Sequence, residues 1–207
     1  MKYPGSLVAA LLVACLVCAS ACAGRKNYVP LDKRQLRGAG KIYFVPLGDF
    51  PAPKVENLVA YYRDKFNLTI ESLPGVPLNP SARDADRQQL IAEATIALMK
   101  HAYPDLTRDP EAILIGLTVE DMYIARYDWQ YTFSWRQDKK FAVVSAARMD
   151  LGSSLLPEAR IENRLRKMVS KNIGILYYRL PASNDPASVL YNNVGGISDL
   201  DRMGEEF

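Results

Sequence analysis

Apolar residues recur along this chain with two periods, and the change from one to the other lays out its elements. Lys41-Ile42-Tyr43-Phe44-Val45-Pro46-Leu47-Gly48 is an apolar run closed by proline and glycine, which predicts a first strand. From Pro53 to Phe66 the positions Val55, Leu58, Val59, Tyr62 and Phe66 keep the spacing of one helix face. Leu68-Thr69-Ile70-Glu71 predicts a short second strand, and the proline-rich stretch to Pro80 a loop. Asp84 is placed to cap a long helix through Ala102, with Leu90, Ile91, Ala94, Ala97, Leu98 and His101 on one flank.

Ala112-Ile113-Leu114-Ile115-Gly116-Leu117-Thr118 is the most apolar strand candidate and is expected at the sheet centre. Tyr131-Thr132-Phe133-Ser134-Trp135 and Phe141-Ala142-Val143-Val144-Ser145 alternate on either side of Gln137-Asp138-Lys139-Lys140, a hairpin signature. Pro157 opens a second long helix to about Leu180. The tail, with Asn192-Asn193 and Gly195-Gly196, reads as loop with a last turn at Asp199 to Met203. The order β-α-β-α-β-β-β-α predicts a single α/β domain with a mixed β-sheet flanked by two to three helices.

The first 22 residues follow a different pattern. Lys2 precedes an apolar run from Leu7 to Cys18, too short for a membrane span of about 20 residues and matching a secretory signal. Ala19-Ser20-Ala21-Cys22 has the small residues and cysteine of a lipoprotein processing site, at which Cys22 would be lipidated, with palmitate among the attached acyl chains. Leu12-Val13-Ala14-Cys15 is a second such site with a very short apolar core, and Cys18 lies between the two. Ordinary cleavage near Ala21 or Ala23 and an uncleaved anchor are the alternatives. Residues 23–38 are polar and aperiodic, a tether ahead of a domain at 39–207. The expected location is a bacterial cell envelope, with the domain lipid-anchored and facing the periplasm or exterior.

All three cysteines lie in the leader, so the domain beyond has no disulfide, thiol nucleophile or thiolate metal site. His101 is the only histidine, which excludes a site of two or three imidazoles. It reads as the C-terminal residue of its helix rather than a catalytic base. A formal net charge of +3 argues against a nucleic-acid partner. No calcium loop, P-loop or dinucleotide fingerprint is present. Glu120-Asp121 follows the central strand as a paired acid and base or, the favoured reading, a solvated turn.

Arg160, Arg164, Lys167 and Lys171 share one face of the last long helix. They read as a site for an anionic partner or, preferred, as a solvated face over the sheet. Leu165, Met168, Val169, Ile173, Leu176 and Leu180 form the core stripe. Trp129, Tyr131, Trp135, Tyr177 and Tyr178 would line a cleft or fill it, and filling is preferred.

Three segments in order then carry a resemblance: Val45-Pro46-Leu47-Gly48, the run Gly116 to Tyr123, and Ala142 to Met149. With the helix that follows, they resemble the archaemetzincins over about residues 41 to 203. These zinc metallopeptidases have a Gly-x-Thr-x-x-Asp-x-Tyr segment, an Ala-Val-x-Ser-x-x-Arg strand, a helix bearing His-Glu-x-x-His-x-x-Gly-x-x-His, and a Met-turn. The resemblance implies a metzincin-like sheet with the active-site-type helix near the C-terminus. It also implies that Lys171, Ile175 and Pro181 stand at the three zinc-binding histidines. Asn172 then stands at the general-base glutamate, Tyr178 at the glycine and Leu190 at the methionine of the Met-turn. The cysteines of the family's accessory zinc site are missing; Gly174 is kept.

The resemblance thus implies a degenerate member without catalytic residues, metal or other cofactor. The expected function is an exported, lipid-anchored, catalytically inactive domain binding a peptide or protein in the former cleft. Lys171, Arg164 and Lys167 are its candidate binding residues. The alternatives are a non-zinc hydrolase using carboxylates and a purely structural envelope lipoprotein.

Overall fold

The computed structural model describes residues 35–150 and 158–207. The signal, Cys15, Cys18, Cys22, the tether up to residue 34 and Pro157 lie outside the described residues. A five-stranded sheet runs β2 (Ile70–Ser72), β1 (Lys41–Pro46), β5 (Ala112–Thr118), β8 (Phe141–Ser145), β7 (Ser134–Gln137) from edge to edge. Every pairing is parallel except β7–β8. The unbroken apolar run of β5 makes it central, and all seven of its residues are buried.

Alternation along the strands divides the core in two. Ile42, Phe44, Ile113, Ile115, Leu117, Ala142 and Val144 meet α1 (Ala52–Phe66) and α4 (Glu158–Leu176) on one face. Tyr43, Val45, Leu114, Phe141 and Val143 meet α2 (Ala92–Ala102) on the other. The predicted stripe of α4 packs on the first face through Leu165, Met168, Val169, Ile173 and Leu176. Each such side chain contributes roughly 1.5–3 kcal/mol by leaving water. A short α3 (Pro104–Arg108) precedes β5, and α5 (Ile197–Arg202) lies in the tail. Among the described residues no helix is long and apolar enough to cross a membrane.

Three element bounds differ from expectation. Asp84 does not cap a helix: β3 (Arg83–Asp84) and β4 (Gln89–Ile91) form a small hairpin, and α2 begins only at Ala92. Asp84 Oδ1 accepts from the amides of Asp86 (3.0 Å) and Arg87 (3.1 Å), closing a turn, and Gln88 is left-handed at φ 54°. β4 then pairs with β6 (Met122–Tyr123), so Leu90 and Ile91 belong to a strand.

The first hairpin strand is Ser134–Gln137, shifted from Tyr131–Trp135, and its turn uses left-handed Asp138 and Lys139. Finally, α4 stops at Leu176, four residues before Leu180. The Leu180 amide donates back to Gly174 O (3.0 Å) while Arg179 turns left-handed at φ 57°.

Candidate functional site

The C-terminal half of α4 lies against edge strand β7, and Asn172 makes the connection. Its amide nitrogen donates to Ser134 Oγ (2.9 Å) and to Met168 O (2.7 Å), and its oxygen accepts from Arg136 Nη1 (3.2 Å). Asn172 is fully buried, so the residue that the resemblance aligns with the general base is a neutral amide engaged in structural bonds. Lys171 beside it is only 4% exposed, yet makes no hydrogen bond or ion pair among the described residues. Burial and the neighbouring Arg136 charge pull its ammonium down to about 8. Burial also lowers Arg136, which has no carboxylate partner among the described residues.

The remaining motif positions do not converge with Lys171. Ile175 packs against the core, Pro181 is exposed, and Leu190 is buried beside Gly174. A glycine just after a helix is usually its left-handed residue, but here that residue is Arg179 rather than Tyr178. Laying the motif on by backbone shape moves every position one residue on, to Asn172, Ile173, Leu176 and Ala182. Neither frame supplies an imidazole or carboxylate. A zinc ion does not fit this site: its nearest charged groups are two cations, and the other positions carry hydrocarbon or an amide already bonded. Among the described residues no three His, Cys, Asp or Glu side chains gather as a metal site. His101 sits exposed in the last turn of α2, outside this region.

The two other motif segments build a scaffold. Arg148 clamps Asp121 with Nε–Oδ1 at 2.8 Å and Nη2–Oδ2 at 2.6 Å, and Gln89 Nε2 donates to Asp121 Oδ2 at 2.7 Å. Burial pushes the Asp121 carboxyl up, but these bonds outweigh it and hold it below the usual range. Ser145 Oγ donates to Glu120 O (2.6 Å), and the Glu120 carboxylate takes Arg83. The Asp, Ser and Arg of the two motifs thus tie the segment after β5 to the end of β8. Glu120 and Asp121 are neither an acid–base pair nor a solvated turn: each is part-buried and bound to its own arginine.

The basic stripe of α4 is also not a solvated face. Arg160 is exposed, but Arg164 is 2% and Lys167 7% exposed, because α5 and the chain before it cover them. Arg164 holds Asp201 with two bonds and donates to Met149 O (2.5 Å). Lys167 Nζ donates to Leu200 O (2.9 Å) and Asp201 O (3.3 Å). Both are occupied within the chain, so of the three candidate binding residues Lys171 alone lacks a partner among the described residues.

A separate polar cavity of about 520 Å³ lies where Arg87, Gln89, Asp121, Asp128, Trp129 and Arg148 meet. Trp129, 54% exposed, stacks on Tyr127 (4.9 Å between rings) at its edge, so this aromatic does not fill a core. Tyr177 and Tyr178 do pack against the core. Sequence periodicity gave no sign of Ser134, Arg136 or Asp201, because their roles arise from contacts across about 35 residues of chain.

The sheet is mixed, with two helices on one face, a third on the other, and a long helix after an antiparallel edge hairpin, a single-domain α/β fold. That fold is the one seen in the archaemetzincins. The archaemetzincin of Archaeoglobus fulgidus, solved with malonate, superimposes with a TM-score of 0.64 at 21% identity, over 81% of this chain and 94% of that one. The archaemetzincin of Methanopyrus kandleri gives 0.62 at 18%, over 87% and 92%. A zinc-dependent peptidase from Methanocorpusculum labreanum gives 0.65 at 16%, over 80% and 95%. No protein-family model and no curated protein matches the sequence.

Proposed function

We propose that this chain is an exported, lipid-anchored protein that uses an archaemetzincin-type fold to bind a peptide or protein, without zinc-dependent hydrolysis. The observation that carries the reading is the donor set of α4: Lys171, Asn172, Ile173, Ile175 and Leu176 offer no imidazole or carboxylate in either frame of the motif, and the whole chain has one histidine. Zinc peptidases activate a metal-bound water held by nitrogen and oxygen ligands, and no frame of this helix assembles them. Export and anchoring rest on the leader and Cys22.

A purely structural envelope role is the second reading, favoured by the burial of Lys171 and the packing of Ile175 on the core. A carboxylate hydrolase is not proposed, since arginines hold both Glu120 and Asp121.

Elemental analysis of the purified mature protein is expected to find no stoichiometric zinc, and a peptide library should be left uncut. About one zinc per chain, or hydrolysis abolished by chelator, would overturn the non-catalytic reading. Cys22→Ser is expected to move the protein from the membrane fraction to the soluble one; equal partitioning of variant and parent would overturn the anchor.

A further inference from the structure

The polar cavity bordered by Trp129 has a volume of about 520 Å³, within the range of small-ligand sites, and none of its lining residues belongs to α4. Its polar side chains form one ladder. Arg148 grips Asp121 with both prongs, and Gln89 Nε2 donates to Asp121 Oδ2 (2.7 Å). Arg87 Nε donates to Gln89 Oε1 (2.8 Å), and Arg87 Nη2 donates to the carbonyls of Gln130 (2.8 Å) and Trp129 (3.0 Å). The two guanidiniums also lie over rings, Arg87 on Tyr123 (3.8 Å) and Arg148 on Tyr131 (4.3 Å). Each member is held by the next, so the lining is set before anything binds, which lowers the ordering cost of binding.

The ladder leaves capacity unspent. Among the described residues Arg87 Nη1, Arg148 Nη1 and the Asp128 carboxylate make no hydrogen bond or ion pair. Trp129 adds an apolar surface: Tyr127 stacks on it with the rings 21° from parallel, and more than half of the residue is still exposed. Charge narrows the choice of ligand. Arg87 and Arg148 are matched by Asp121 and Asp128, so the lining is formally neutral. An anion would meet the free Asp128 carboxylate, and a cation the two guanidiniums. A wholly apolar ligand would strand the unspent donors. A sugar ring meets both demands, with hydroxyls that donate and accept around its rim and a C–H face that leaves water against an indole.

We propose that this cavity binds a neutral saccharide, with a pyranose ring against Trp129 and its hydroxyls hydrogen-bonded to Arg87, Arg148 and Asp128. The site is additional to the peptide-binding reading and does not depend on it. The saccharide is either a free short oligosaccharide or a stretch of a longer glycan.

The test is isothermal titration calorimetry of the mature protein with cellotriose, maltotriose and tri-N-acetylchitotriose. Trigalacturonate, trilysine and tri-alanine serve as charged and peptide controls. At least one neutral trisaccharide is expected to bind saturably and to shift the tryptophan emission, which comes from Trp129 and Trp135 alone. Trp129→Ala should weaken that binding about tenfold or more, whereas Trp129→Phe should stay within about threefold of the parent. Asp128→Ala should weaken it roughly threefold. Both positions are exposed, so the variants are expected to fold, with urea midpoints matching the parent.

Retention of the protein on cellulose or chitin would identify a longer glycan as the source, and binding of the trimers alone a free oligosaccharide. Three outcomes would overturn the site: no saturable binding of any neutral trisaccharide, undiminished binding in Trp129→Ala, or tighter binding of trigalacturonate, trilysine or tri-alanine.

Discussion

Arg164 and Asp201 join α4 to α5 through a two-pronged ion pair, with Nε–Oδ1 at 2.8 Å and Nη2–Oδ2 at 2.7 Å. The arginine is buried and the aspartate is half exposed, so the pair pins the tail over a charge that water barely reaches. Asp201→Ala is expected to cost about 2–4 kcal/mol, since it leaves Arg164 buried with Met149 O as its remaining partner. The check is the urea midpoint at unchanged m. The Arg164 bond holds Asp201 below the ordinary carboxylate range. Its contribution is therefore complete above pH of about 4 and disappears as pH falls through the lowered folded value. The gap between variant and parent should close in acid; a gap constant with pH would contradict this.

Lys171 gives the opposite dependence. Its folded value of about 8 lies below the 10.5 of an ordinary lysine, so below pH 8 both states are charged and the folded state bears the full penalty. Stability should rise as pH goes from 8 to 10.5, where the folded lysine has lost its proton and the unfolded one has not. Lys171→Met should be the more stable protein at pH 7, by on the order of 1–3 kcal/mol. That advantage should shrink above pH 8, as denaturant titrations across pH would show.

Gly174 lies inside α4, where glycine normally costs stability and alanine gains about 1 kcal/mol. Here an added Cβ would sit 2.6 Å from Leu190 Cδ2 and 2.7 Å from Phe207 Cε1. Gly174→Ala is therefore expected to lose about 1–3 kcal/mol by overpacking. A raised melting temperature would show that the tail yields more easily than its burial implies.

Strands with a continuous buried apolar run were legible in the sequence. β1, β5 and β8 are dense apolar runs, and no other element type packs such runs so economically. The helical stripe of α4 was legible for the same reason, since Leu165, Val169, Ile173 and Leu176 repeat at the helix period.

Asp84 was not, because an aspartate ahead of Gln88-Gln89-Leu90 suits a helix cap and an Asx turn equally. The choice came from Leu90 donating to Asp121 O (2.8 Å), a partner far along the chain. The basic stripe misled similarly. Spacing places Arg164 and Lys167 on one face, but only the returning tail decides whether that face meets water or Asp201. The want of a partner at Lys171 is a property of surrounding elements, which no local pattern encodes.

The strand order has a consequence for how the domain reaches its final state. In the five-stranded sheet β7 and β8 are the one pair joined as a hairpin, and a hairpin of that kind closes in about 1–10 μs. Pairing β1 with β5 brings Ile42 to Ile113 across about 70 residues and encloses α1, β2, the β3–β4 hairpin, α2 and α3 before that contact repays the closure. The speed of assembly is therefore set at that junction, and a substitution at Ile113 would slow it, whereas a change at the Asp138 turn would barely register.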